Sequence, residues 1–504
     1  MKSKWTRTWL AAGLAFSLMT APLAAVAAET PLYRSYTSHS LIKQDGTYWV
    51  WGDKQPVPVR IDGLGDVAAV YDGDLIRLVD GTVHYAGALL AGQPMTTVAL
   101  PHFDNLKQAY ATSTELFIID SMGRLHLIPK QDGQLRLATL QDSQPLAAPA
   151  GIEQVSAYYE WYDNTSELTL IARTEDGSIW RSRAGAQRLA DWTRIPDISD
   201  AIDIQDNLAL TKTGELYSWT IRNTRELSVM QSTPGRPIPI TGGVRWLQAH
   251  RLAHLAVDVD GRLWFWGHTV TGVSDSTLWH EQPEPIRFTT IDKVREAYIV
   301  ERSLLVLTEG GQLYRTSMYR ESMPHNPEFE LLQEKVRSVQ PGSRHLMIEL
   351  QDGSLWGLGI NKSFELGAGY SHFEQHTPIP LHKPVDVLLN NDPVPLRSGV
   401  MIRDGQAFIP LRSIFEQMGA TLTWDASRKE TTITRDASGA TPAVSMLIRY
   451  ASGEVLMQGR PIALANKPFI VEGVTYLPLR LVSETLGAQV HWSAEEQKIR
   501  IVHP

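Results

Sequence analysis

No cysteine occurs anywhere in this 504-residue chain. That excludes disulfides, a thiolate metal site, a thiol nucleophile and a lipobox-type lipid anchor. Exported animal proteins of this size normally carry disulfides, so the absence fits export from a bacterium. Surplus positive charge is also missing. Forty-seven Lys and Arg stand against 55 Asp and Glu, for a formal charge of −8. No basic run appears, and a basic patch is what nucleic-acid binding requires, so no nucleic-acid partner is expected. The chain has no His-Glu-x-x-His, no Gly-Lys-(Ser/Thr) phosphate loop, no Gly-x-Ser-x-Gly elbow and no Leu-Pro-x-Thr-Gly wall-sorting motif. The His250/His254 and His372/His376 pairs are four apart, the first on a strand approach and the second in a loop. Neither spacing makes a metal site, and no metal or cofactor is expected. The pairs Asp258/Asp260 and Glu495/Glu496 read as solvated turn residues.

Only the N-terminus carries an apolar run of membrane-spanning length, from Trp9 to Val26. Lys2, Lys4 and Arg7 precede it and small residues follow. That order reads as a secretory signal peptide over 1–27, cut after Ala27 or Ala28. Cleavage removes three positive charges, giving −8 − 3 = −11 for the mature chain. A secreted or cell-surface location is expected, with no transmembrane segment after cleavage.

What the chain does have is a short phrase written eight times: an apolar run, an acid-Gly or similar turn, then aromatic or apolar residues. The turn glycines are Gly46, Gly81, Gly123, Gly177, Gly214, Gly261, Gly311 and Gly353. The fullest copies run His254–Gly267 and His345–Trp356, and Trp51, Trp266 and Trp356 close their hairpins. Asp-Gly between β-branched and aromatic runs predicts hairpins with type I′ turns. Gly52, Gly267 and Gly357 stand where the chain can bend away. Units this small cannot bury their own apolar face, so they must stack. Irregular spacing of the glycines favours a propeller, which absorbs extra residues as loops.

The phrase His254-Leu-Ala-Val-Asp-Val-Asp260-Gly261-Arg-Leu-Trp264-Phe-Trp266-Gly267, with its copies at 39–52 and 345–369, resembles the RCC1-type repeat over residues 33–384. The resemblance implies a mainly β chain with a seven- or eight-bladed RCC1-like β-propeller. The chromatin role of that family does not carry over, because the chain is acidic.

Residues 386–504 hold a second internal repeat. Segment 387–424 aligns with 455–492 at a constant offset of 68, without a gap. Identical pairs include Pro410/Pro478, Arg412/Arg480, Glu416/Glu484, Gly419/Gly487 and Trp424/Trp492. Each half reads as β-β-α-β, with helices over about 411–418 and 479–486, started by proline and stopped by glycine. Arg412 and Arg480 sit four residues before Glu416 and Glu484, the spacing of a helical ion pair. The motif resembles the copper amine oxidase N-terminal-like, or stalk, domain, and implies a smaller C-terminal α+β domain. The oxidase's own chemistry belongs to a separate catalytic domain with an Asn-Tyr motif. This chain has no Asn-Tyr pair.

These readings together predict a non-enzymatic, exported binding or scaffold protein in two separately folding cores, joined near residues 382–386. The expected partner is an extracellular or surface protein, and the alternative is a cell-wall polymer.

Overall fold

In a computed structural model the chain is almost wholly β. The structure describes residues 32–87, 97–162, 165–182, 189–219, 235–250, 252–273, 276–437, 443–479, 481 and 487–503. The expected signal peptide lies outside them. The described residues form two compact units. One comprises those of Val67–Gly87 and Val98–Ser338, the other chiefly those of Glu29–Asp66 and Val339–Pro504.

Eight antiparallel sheets cover 33–60, 67–104, 108–129, 152–194, 201–237, 244–287, 294–333 and 336–380. Strand order within each follows the chain. Seven sheets have four strands. The third has three, because its fourth strand shrinks to one bridge between His126 and Pro145.

The acid-Gly turns join the second and third strands. All eight turn glycines have φ between 76° and 92°, whereas the residues before them stay out of the left-handed region. These turns are therefore type I followed by a left-handed glycine, not type I′. Where an aspartate precedes the glycine, it braces this geometry. Its carboxylate accepts the N–H two residues ahead, as in Asp45 to Thr47 (3.0 Å), Asp80 to Thr82 (2.9 Å) and Asp352 to Ser354 (2.9 Å). That bond holds the aspartate in the ordinary helical well.

Other details also differ from expectation. Gly357 lacks the positive φ of Gly52 and Gly267. Gly359 has it (φ +106°), opposite His345 as Gly267 lies opposite Ala253. Asp258 is not solvated. It is fully buried and accepts the N–H groups of Asp260 and Arg262 and the indole N–H of Trp264.

Consecutive sheets of the first unit share cores. Leu255, Phe265 and Leu263 of the sixth sheet pack with Val294, Leu304 and Val306 of the seventh. Glutamines stitch the innermost strands. Gln108 bonds both the N–H (2.7 Å) and C=O (3.2 Å) of Val155, and Gln154 does the same to Ile204 (3.2 and 3.1 Å). Gln205 bonds Ala249 N–H and Leu247 C=O. Each amide satisfies a strand edge that has no ladder partner.

In the second unit the first sheet packs on the eighth through Leu41, Trp49 and Trp51 against Met347, Leu355 and Leu366. The first sheet also shares a core with the C-terminal domain, through Val57 against Met401, Phe408 and Tyr476. Its outer strand, Gln55–Arg60, is buried along nearly its whole length. Asp386 lies between Lys43 (3.1 Å) and Arg60 (3.0 Å). Gly399 approaches so closely that a Cβ there would sit 2.1 Å from the Pro58 carbonyl oxygen.

The C-terminal domain repeats strand for strand at the offset of 68. Met401–Arg403 corresponds to Phe469–Val471, Gln406–Pro410 to Val474–Pro478, Thr421–Asp425 to Gln489–Ser493 and Glu430–Arg435 to Lys498–Val502. The halves meet where Ile409 pairs with Leu477, flanked by Phe408 with Pro478 and Pro410 with Tyr476. Each half has more strands than the expected β-β-α-β. Val444–Arg449 has no counterpart among the described residues and pairs between Glu430–Arg435 and Glu454–Met457. The first helix is one short turn, Leu411–Phe415.

Candidate functional site

The two ends of each propeller sheet differ in what they are used for. At one end are the acid-Gly turns. The glycine carbonyl there accepts the N–H that opens the next sheet's first strand. Such bonds run from Ile152 to Gly123 (3.2 Å), Ala201 to Gly177 (3.1 Å), Val244 to Gly214 (2.7 Å), Val294 to Gly261 (2.8 Å) and Val336 to Gly311 (2.9 Å). At Gly177 a Cβ would lie 2.7 Å from Asp200 Cα, so the residue is held to glycine by contact as well as by its φ of +77°. Hydrogen bonds from Thr174 and from Ser178 hold the Asp176 carboxyl down to about 2. These five turns are thus committed to holding one sheet to the next.

The opposite end carries the connections from first to second and from third to fourth strand. The first-to-second connections are two or three residues long, whereas the third-to-fourth ones range from two residues, between Gly52 and Gln55, to seventeen, between Ser218 and Arg236. Third-to-fourth connections run from Ser182 to Trp192, Ser218 to Arg236, Ser317 to Glu330 and Asn361 to His372. Two hairpins also reach beyond ordinary strand length there. Ile152–Tyr162 pairs with Thr165–Thr174, and Leu263–Thr271 with Leu278–Arg287.

The repeat-marker residues are placed as follows. Gly46, Gly81, Gly177, Gly261 and Gly353 occupy the turns. Trp51 is buried, and its indole N–H reaches Glu365 O at 2.9 Å. Trp266 is buried beside His254, ring centroids 5.3 Å apart. Burial pulls the His254 imidazole down to about 4. Trp356 donates to Ser354 Oγ at 3.0 Å. Pro410 caps the Leu411–Phe415 helix and, like Pro478, ends a central strand. Glu416 accepts from Arg412 (2.9 Å) and from Arg397 (3.1 Å), the latter absent from the sequence reading. Arg480 and Glu484 lie outside the described residues. Trp424 and Trp492 are half-exposed on edge strands, with Trp424 5.6 Å from Tyr450.

No catalytic constellation emerges from these placements. Among the described residues no group of three or more His, Asp or Glu side chains is arranged to hold a metal ion. The described residues include no helix long and apolar enough to cross a membrane.

Both the repeat-bearing and the C-terminal parts of the chain have similar known proteins. Residues 388–501 match the copper amine oxidase N-terminal domain. The ultraviolet-B receptor UVR8 of Arabidopsis thaliana is 28% identical over 198 residues, covering 36% of this chain and 44% of the receptor. The chain thus matches less than half of that relative's length. Among solved structures, Prp20p of Saccharomyces cerevisiae aligns at 14% identity and a TM-score of 0.41, over 69% of this chain and 88% of that one. Human WBSCR16 aligns at 15% and 0.37, over 66% and 85%. The eight sheets over 33–380 thus resemble the RCC1-type propeller, and residues 388–501 resemble the copper amine oxidase N-terminal domain. That domain is the non-catalytic part of its family.

Proposed function

We propose that this chain is a non-enzymatic, exported scaffold whose propeller recognises another protein through the sheet ends opposite the acid-Gly turns. One observation carries the reading. Five of the eight turn glycines are spent on sheet-to-sheet hydrogen bonds, while the third-to-fourth connections at the opposite end vary from two residues to seventeen. Recognition concentrates on such loops. The charged start, apolar run and small residues of the N-terminus support export, and sequencing the mature terminus of secreted material tests it. An intact Met1 on protein held in the membrane would overturn the export reading.

Surface variants test the recognition reading. Val79, Met122 and Val259 are exposed at acid-Gly turns, whereas Tyr159 and Leu278 are exposed at the opposite end. Serine at Tyr159 and Leu278 is expected to reduce partner capture from the secreted fraction, and serine at the first three is not. The reverse pattern would refute the choice of end.

A cell-wall polymer is the second reading. It is favoured by Trp424 and Trp492, which occupy equivalent half-exposed positions on edge strands of the two C-terminal halves. Failure of the full chain to bind purified peptidoglycan would sink it, whereas binding that survives Trp424→Ala with Trp492→Ala would remove only the role of the two tryptophans.

A further inference from the structure

The extended hairpin of the sixth sheet, Leu263–Thr271 with Leu278–Arg287, is fixed rather than loose. Val270 N–H donates to Met318 O (3.2 Å) and Val270 O accepts from Arg320 N–H (2.9 Å). Thr269 Oγ1 donates to Glu321 O (3.1 Å), and Gln282 Oε1 accepts Met323 N–H (3.0 Å). The seventh sheet's third-to-fourth connection is therefore laced onto it.

Five large apolar side chains are exposed on this platform: Leu252 (46%), Val273 (67%), Leu278 (60%), Trp279 (46%) and Tyr319 (50%). Trp279 and Tyr319 lie on either side of Val270, and Leu278 stands next to Trp279 on the other face of the hairpin. His268 bonds Leu252 O and meets the Trp279 ring edge-on at 6.4 Å. Trp279 pairs with Val270, which bridges to Tyr319. Isolated exposed apolar residues need no explanation, but a cluster of this kind marks an interaction surface.

Two further features define what would cover it. Leu278–Arg287 is the outer strand of its sheet. Pro283 and Pro285 lack N–H groups and block its far half, leaving Leu278–Gln282 as an open edge for an extended strand. The rim is acidic. Glu281, Glu284 and Glu321 are exposed and make no ion pair among the described residues. Two of the nearby cations are engaged, and exposed Arg287 stands at the far end of the strand. Arg302 donates to Gly272 O (2.6 Å) and lies over the Tyr319 ring, and Arg320 donates to Thr316. A second copy of this chain would bring the same acids face to face, which like-charge repulsion opposes.

We infer that this platform binds an extended segment of a partner protein, about five residues long, in which apolar side chains alternate with Lys or Arg. The inference rests on the protein-recognition reading above and gives that face a location and a ligand chemistry.

The test uses the full chain and three labelled peptides that alternate Val with Lys, Val with Glu, or Ser with Lys. Binding is followed by fluorescence anisotropy. The Val/Lys peptide is expected to bind, and the other two at least about tenfold more weakly. Trp279→Ala and Glu281→Lys with Glu321→Lys are each expected to weaken Val/Lys binding by about tenfold. These side chains are exposed, so thermal unfolding should be unchanged.

Equal binding of all three peptides, no binding of any, or Val/Lys binding indifferent to these variants would overturn the inference. So would a concentration-dependent dimer that Trp279→Ala abolishes, because the occupant would then be a second copy. Loss of binding in Val79→Ser with Val259→Ser, but not in Trp279→Ala, would refute the sheet-end reading itself. Indifference to both sets refutes only this location.

Discussion

Replacing Asp386 by alanine should uncouple the first propeller sheet from the C-terminal domain. Asp386 is nearly inaccessible and accepts from Lys43 at 3.1 Å and Arg60 at 3.0 Å, both themselves largely covered. Burial pulls the Lys43 ammonium below its ordinary range, and the Asp386 charge pushes the other way. Removing one member of a buried pair strands the other and costs about 3–5 kcal/mol. Arg60 keeps Asp62 as a partner, and both cations retain some water, so the lower end, about 3 kcal/mol, is the expected loss. The two compact units need not unfold together, so a global melting temperature is a poor readout. Hydrogen exchange in peptides spanning 40–60 and 386–410 reads the loss locally. A cycle with Lys43→Met should return coupling above about 1 kcal/mol. A loss under about 0.5 kcal/mol, the size of an exposed pair, would mean that the two elements merely lie side by side. The perturbation also bears on the expectation of two separately folding cores. The Val57 contact and the buried Gln55–Arg60 strand lead us to propose that a fragment ending near Pro384 exposes that strand and aggregates.

Further outcomes follow from other sites. Gly399→Ala would push a Cβ to 2.1 Å from Pro58 O, and should increase exchange over 55–60 by the same assay even though its φ is unremarkable. Gly177→Ala must accept φ +77°, costing about 1–2 kcal/mol, and collides with Asp200. Gly405→Ala, with φ +70° and open space, should incur only the backbone cost, and denaturation midpoints would rank the two. Burial raises the Asp206 carboxyl to about 6. A raised folded value favours the protonated form, so this stability is complete below about pH 4 and is lost as pH rises through about 6. Asp206→Asn should therefore flatten the pH profile between those values and add about 1–3 kcal/mol at pH 7. Unchanged stability at pH 7 would show that the carboxyl is solvated.

Second and third strands of the propeller were legible because each hairpin spells its turn, from Asp45-Gly46 to Asp352-Gly353. Fourth strands were not. Trp192–Arg194 and Arg236–Pro237 are short, exposed and without periodicity, so only pairing to a neighbour defines them. The turn type differs from expectation because an Asp-Gly pair suits two geometries, and the turns without a preceding aspartate, at Gly123, Gly214 and Gly311, adopt the same one. The offset of 68 exposed the C-terminal repeat, but Val444–Arg449 has no repeat partner to announce it. Long-range contacts were invisible in principle. Lys43 and Arg60 lie more than 300 residues from Asp386, and Gln154 gives no sign that its amide will bond Ile204. The Trp279 platform had a faint signal in adjacent Leu278 and Trp279 beside a Pro-rich strand. Only the pairing of Val270 with Tyr319 brings its parts together.

Hydrogen exchange of the full chain, with and without a partner captured from the secreted fraction, tests the recognition reading most directly. Protection is predicted at the first-to-second and third-to-fourth connections, with its maximum at Leu278–Gln282 and around Tyr319. The acid-Gly turns at Gly81, Gly123, Gly177 and Gly261 should exchange as in the free protein. Protection confined to those turns would contradict the account.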